Sequence, residues 1–208
     1  MNLNENITEQ NVLDFLKKLN SNTDKKYDKF YHTIELPFGH KIQGYNRNYE
    51  HASWEQISSI CNFTNKKVAD LGCFNGYFCF EIKKIAKTVH GFDKCIPAIE
   101  TAKEIAKLKG LEIKFEAFDL DIQEIPEEYD VVLLLNVAHH LKNLELTFSN
   151  MFLKAKTVIL EMAFEQSRPH WSIISKEELL KIAKKHGHTL KNELSSIRGR
   201  TILLFERE

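Results

Sequence analysis

The sequence predicts an α/β fold, a doubly wound sheet of seven strands with an N-terminal helical and hairpin cap in front of it. Three observations predict it. From Val68 onward, short apolar runs alternate with helical patterns five times over and close on a hairpin-like tail. Val131 to Leu135 is wholly apolar, as in a strand buried on both faces of a parallel sheet covered by helices. Residues 67–81, K-V-A-D-L-G-C-F-N-G-Y-F-C-F-E, read as a strand, a glycine-bearing turn and a helix N-terminus. That arrangement lets a backbone approach a small polar ligand closely.

The cap comes first. Ile7, Val12, Leu13, Phe15, Leu16 and Leu19 lie close to helical spacing and predict an amphipathic helix on the domain surface. Residues 21–29 are polar apart from Tyr27 and break it. Residues 30–45 alternate around Pro37 to Gly39 and predict a small hairpin. After the Y-N-R-N-Y run, a helix is expected over about 51–61, with Trp54, Ile57 and Ile60 on one face. The division expected is a cap and lid segment over 1–62 and a core over 63–208.

In the core, the first strand leads to a helix ending near Lys87, and a second strand, 88–93, ends in Asp93. Pro97 at a first-turn position and Gly110 at a C-cap bound a helix over 97–108. Strands follow at 112–118 and 130–137, a helix at 144–153 and a strand at 157–162. Ser175 opens a capping box, S-K-E-E, for a helix ending near Gly187. Residues 190–194 and 200–205 read as the two strands of the terminal hairpin.

Composition narrows the class. The chain has 208 residues, enough for one domain with a small appendage. No apolar stretch approaches the roughly 20 residues of a membrane span, and the polar, acidic stretch Met1 to Gln10 is unlike a signal peptide. A soluble, cytoplasmic protein is expected. The four cysteines form no C-x-x-C pair, so neither a zinc site nor a disulfide framework is indicated, and no metal is expected. Balanced charge, 29 basic against 29 acidic residues, argues against a nucleic-acid partner.

In doubly wound sheets the ligand sits at the carboxyl ends of the strands. That selects Asp70 to Gly76, Asp93, Asp119 with Leu120, Asn136 to His140, and Glu161 to Phe164. Asp93 lies about 20 residues past the glycine turn at a strand end, where an acid can bond ribose hydroxyls.

Over residues 67–165 the chain resembles the class I S-adenosylmethionine-dependent methyltransferases. The first motif, Asp70-Leu71-Gly72-Cys73-Phe74-Asn75-Gly76, keeps the acid and two glycines, with Phe74 where the middle glycine usually lies. The resemblance implies a Rossmann-like sheet with a reversed last strand, and S-adenosylmethionine as cofactor with S-adenosylhomocysteine as product. It implies that Asp70, Gly72, Cys73, Phe74, Asn75 and Gly76 line the methionine portion, and that Asp93, with Lys94 beside it, holds the ribose. Asp119 and Leu120 are then at the adenine, and Asn136 closes the pocket. A narrower resemblance, to the wobble-uridine tRNA carboxymethyltransferase group, runs through Tyr31-His32-Thr33-Ile34-Glu35-Leu36, Gly39, Gly44 and Trp54. That group has a tyrosine matching His139, which helps to hold a carboxylated cofactor, and basic residues where Ser53 and Glu55 flank Trp54 here. Plain S-adenosylmethionine is therefore expected.

Methyl transfer is an in-line displacement that needs an oriented nucleophile and, for a hydroxyl, a base. His139 and His140 follow the fourth strand and are candidates for that base. Glu161 could accept a substrate proton or bind a hydroxyl; as a strand-end carboxylate it could equally be solvated. His32 and Glu35, with Tyr31, Tyr45, Arg47, Tyr49 and Trp54, could cover the site, or form a structural hairpin with a surface aromatic cluster. Arg168, His170, Arg198 and Arg200 lie on segments expected to rim the substrate side, each read first as surface charge. The function expected is O-methylation of a small polar metabolite, anionic through phosphate or sugar-like. A tRNA substrate is the alternative, and a non-catalytic nucleotide-binding protein of the same fold a third reading.

Overall fold

Val131, Leu133 and Leu135 pack on one side of the central strand and Val132 and Leu134 on the other, so that strand separates two apolar layers. The structure is a computed structural model and describes residues 7–21, 30–45, 52–164, 174–196 and 199–208. The elements are α1 (Glu9–Ser21), β1 (Ile34–Glu35), β2 (Lys41–Ile42), α2 (Ala52–Ile60), β3 (Lys67–Leu71), α3 (Tyr77–Lys83), β4 (Thr88–Asp93), α4 (Ile96–Leu108), β5 (Lys114–Ala117), β6 (Tyr129–Leu135), α5 (Leu144–Lys154), β7 (Ala155–Met162), α6 (Lys176–Lys185), β8 (His188–Ser195) and β9 (Thr201–Arg207). Seven strands form one sheet in the order β5-β4-β3-β6-β7-β9-β8. The pairings from β5 to β7 are parallel, and β9 runs antiparallel to both its neighbours. The doubly wound sheet with a reversed last strand is the architecture present.

One layer joins Ile82 of α3 and Ile99 and Ile105 of α4 to Val68 and Ile159; the other joins Phe148 and Phe152 of α5 and Leu179 of α6 to Leu71, Phe92 and Phe205. Val12 and Phe15 of α1, Ile57 of α2, and Ile34, Leu36 and Ile42 of the small hairpin enter the first layer. Lys18 of α1 pairs with Glu104 of α4 across the same contact.

Local chemistry explains the boundaries. The expected strand 130–137 stops at Leu135 because Asn136 takes φ +59° and turns the chain into a 3-10 turn, Ala138–His140. The helix expected to reach about Lys87 ends at Lys83 and unwinds through single turn bonds such as Ile85 N–H to Ile82 C=O (3.1 Å). The third strand is shorter than 112–118, and the last pair is longer than 190–194 and 200–205, since edge pairing continues outward from the hairpin. Ser175 forms its capping box: its Oγ accepts from Glu178 N–H (3.2 Å) while Glu178 accepts from Ser175 N–H (3.0 Å). Ser175→Ala is expected to cost about 1 kcal/mol in chemical denaturation, with an unchanged denaturant slope. Among the described residues no helix is long and apolar enough to cross a membrane.

Candidate active site

The turn after β3 is built on backbone that glycine permits. Gly72 (φ +73°) and Cys73 both donate to Phe92 C=O, at 2.7 and 2.9 Å, and Gly76 (φ +82°) opens α3. Gly72 also faces Val137: a Cβ there would lie 2.4 Å from Val137 Cγ2. Strain and overlap together make Gly72→Ala cost about 2 kcal/mol. In a double-mutant cycle Val137→Ala should recover part of that loss, and additivity would contradict the contact.

Asp93, at the end of β4, ties this turn to the next one. Its Oδ2 accepts from Phe74 N–H and its Oδ1 from Cys95 N–H, both at 2.8 Å. Burial raises its pKa, and these two bonds oppose the rise. Phe74 itself has φ +48°, a conformation that costs an L side chain about 1 kcal/mol. Its ring meets the edge of Tyr31 (5.6 Å), which in turn contacts Tyr45 (5.0 Å). The next residue, His32, stacks on Tyr77 at the start of α3, with centroids 4.2 Å apart and planes within 12°. Gly44 lets the segment close, since a Cβ there would lie 2.3 Å from the His32 carbonyl carbon. Thus residues 30–45 pack over the glycine turn.

Asp70 is 2 % exposed, and burial pushes its pKa up to about 7. The Cys79 thiol donates to its Oδ2 at 3.3 Å. The thiols of Cys73 and Cys79 are buried, and burial raises both pKa values. A carboxyl that holds its proton more tightly when folded stabilises in full below about pH 4, its unfolded value. That contribution is lost as pH rises through about 7, the folded value. The ligand-free protein should therefore lose stability from pH 4 to 7, and Asp70→Asn should flatten that decline in melting curves.

Among the described residues, the turn after β3 and the ends of β6 and β7 hold buried polar atoms without hydrogen-bond partners. Asn75 is 4 % exposed, and neither its Oδ1 nor its Nδ2 is hydrogen-bonded. Asn136 donates its N–H to Glu161 C=O (2.7 Å), but its buried Oδ1 accepts nothing. Glu161 is 5 % exposed; its Oε1 accepts no hydrogen bond and lies 3.8 Å from Arg200 Nη1. Buried polar groups are normally bonded, so such groups point to a missing partner.

His139 is half-buried and His140 exposed on the 3-10 turn, with rings 3.9 Å apart. Asp119 accepts from Asp121 N–H (3.0 Å), Leu120 is buried, and Lys94 is exposed beyond Asp93. Glu161 is not solvated, and Arg200 is its ion-pair partner rather than plain surface charge. Trp54 does not join the cover: it packs against Phe63 (5.6 Å) in the apolar layer. Glu35 is exposed, and its carbonyl is bonded by Lys109 just past α4. Arg47, Tyr49, Arg168, His170 and Arg198 lie outside the described residues. Sequence reasoning missed Val137 and Tyr77 as neighbours of the turn; only the small size of Gly72 hinted at the first.

Comparison with known proteins agrees with this geometry. A family model described as a methyltransferase domain matches residues 62–197. Over 151 residues the chain is 26 % identical to a ubiquinone biosynthesis O-methyltransferase of Bartonella bacilliformis, covering 70 % of this chain and 61 % of that protein. Over 88 residues it is 32 % identical to a tRNA U34 carboxymethyltransferase of Campylobacter fetus, covering 40 % of this chain and 30 % of that one. The chain thus spans 30 to 61 % of the length of these two curated relatives. The crystal structure of magnesium protoporphyrin IX methyltransferase from Synechocystis with bound S-adenosylmethionine shares the fold, with a TM-score of 0.67 and 18 % identity over 97 % of this chain and 98 % of that one.

Proposed function

The chain belongs to this methyltransferase domain family, and from that premise we propose that it transfers a methyl group from S-adenosylmethionine to an oxygen of a small polar metabolite. The observation that carries the reading is the buried, unbonded amide of Asn75 inside the glycine turn. It offers one acceptor and two donors, which suits the amino and carboxylate groups of the cofactor's methionine portion. The other members of the set fit the same ligand. Asp70, Gly72, Cys73, Phe74 and Gly76 form the turn around that portion, and Asp93 keeps lone pairs for the ribose hydroxyls. Lys94 stands beside the ribose, Asp119 and Leu120 beside the adenine, and Asn136 borders the pocket. The bound cofactor supplies an electrophilic methyl group on a sulfonium.

The chain's own task is to orient the acceptor and take its proton. His139 removes that proton, with His140 beside it, and Glu161 binds the acceptor. His32, held on Tyr77, forms part of the cover and excludes water. The test is incubation of the purified chain with methyl-labelled S-adenosylmethionine and a panel of hydroxylated metabolites. Label in an organic product, together with S-adenosylhomocysteine, supports the reading; unchanged donor across the panel counts against it.

A tRNA acceptor is the second reading, favoured by the Campylobacter relative and opposed by a net charge of +0. Salt-dependent retention of tRNA would move the assignment to it.

A further inference from the structure

We infer that Asn136 and Glu161 form a two-point receptor for the methyl acceptor, and that this acceptor presents two neighbouring neutral hydroxyls. The inference rests on the methyltransferase reading and adds the acceptor class to it. The two residues end adjacent strands: Leu135 of β6 is in register with Glu161 of β7, and Asn136 N–H donates to Glu161 C=O at 2.7 Å. Asn136 Oδ1 and Glu161 Oε1 are both buried without a hydrogen-bond donor. Amide and carboxylate oxygens only accept, so whatever satisfies them brings at least two donor hydrogens. Neighbouring strand backbones lie about 4.8 Å apart, so side chains that end adjacent strands are within reach of one small acceptor with hydroxyls on adjacent carbons.

Charge selects hydroxyl over ammonium. Arg200 Nη1, 3.8 Å from Glu161 Oε1, already opposes the carboxylate charge. A cationic acceptor would meet that guanidinium in a site of low exposure, whereas a neutral O–H adds no charge. One hydroxyl is then the nucleophile. Its hydrogen leaves the receptor oxygen and passes as a proton to His139, its oxygen bonds to the methyl carbon, and the carbon–sulfur bond breaks with the pair left on sulfur. The second hydroxyl is the anchor. The product, a monomethyl ether, has lost one donor and holds the receptor less well, which favours its release.

The experiment measures binding of benzene-1,2-diol, 2-methoxyphenol and benzylamine to the full chain saturated with S-adenosylhomocysteine. The diol should bind about tenfold more tightly than its monomethyl ether, the value of one hydrogen bond to a buried acceptor. Glu161→Leu, which removes both acceptor oxygens, should erase that preference while leaving S-adenosylhomocysteine bound. Asn136→Gly keeps the positive φ and removes Oδ1, and should do the same to the diol. Arg200→Gln should raise benzylamine binding, which a merely structural arginine would not do. Equal binding of diol and ether, no diol binding, or a preference for benzylamine in the unaltered chain overturns the inference. Failure of S-adenosylhomocysteine to bind overturns the methyltransferase reading first, and this one with it.

Discussion

Asp93→Ala is expected to weaken S-adenosylhomocysteine binding by at least about 100-fold, since hydrogen bonds to a charged group contribute about 1.5–3 kcal/mol each and a ribose offers two hydroxyls. The structure adds a second cause. Asp93 holds Phe74 N–H and Cys95 N–H at 2.8 Å each, so alanine also releases the glycine turn from the end of β4. Asp93→Asn separates the two effects. It keeps the size of the side chain and one acceptor oxygen, so it should bind better than the alanine variant and worse than the unaltered chain. Calorimetric titration of the three proteins checks this. An alanine variant that binds within about threefold of the original, a difference of under 1 kcal/mol, would remove Asp93 from the cofactor site.

His139→Ala should lower kcat by about 100-fold or more, the usual contribution of a positioned general base, with cofactor affinity unchanged. His140→Ala should have a much smaller effect. The two residues share one 3-10 turn, but His139 is half-buried next to the strand end and His140 is exposed. Single-turnover rates of labelled methyl transfer decide between them. Equal losses would mean that the contacting rings act as one unit, and no loss in either would place the base elsewhere, with Glu161 the first residue to examine.

The sheet was legible because its signals are local. Val131 to Leu135, a short and wholly apolar run, reads as a strand buried on both faces, and Ser175 with Glu178 marks a helix start within four residues. The glycine turn and Asp93 were legible for the same reason: the spacing along the chain reproduces the spacing in space. What could not be read depends on distant partners. Glu161 is buried because β9 pairs antiparallel with β7 and brings Arg200 beside it, a contact across 39 positions of sequence. Phe74 showed only a missing glycine; the ring contact with Tyr31 that accompanies its positive φ comes from the cap. Asn136 looked like the end of a strand, and neither its left-handed conformation nor the burial of its Oδ1 has a local signal. Trp54 stayed open between cover and structure because an aromatic residue in a cap helix reads alike whether it covers a ligand or packs on Phe63.

The most direct test of the account is calorimetric titration of the intact chain with S-adenosylmethionine and with S-adenosylhomocysteine. The geometry of Asn75 and Asp93 predicts saturable one-to-one binding of both in the micromolar range. Absence of binding by protein shown to be folded would contradict it, and would leave the buried, unbonded amide of Asn75 in need of a different ligand.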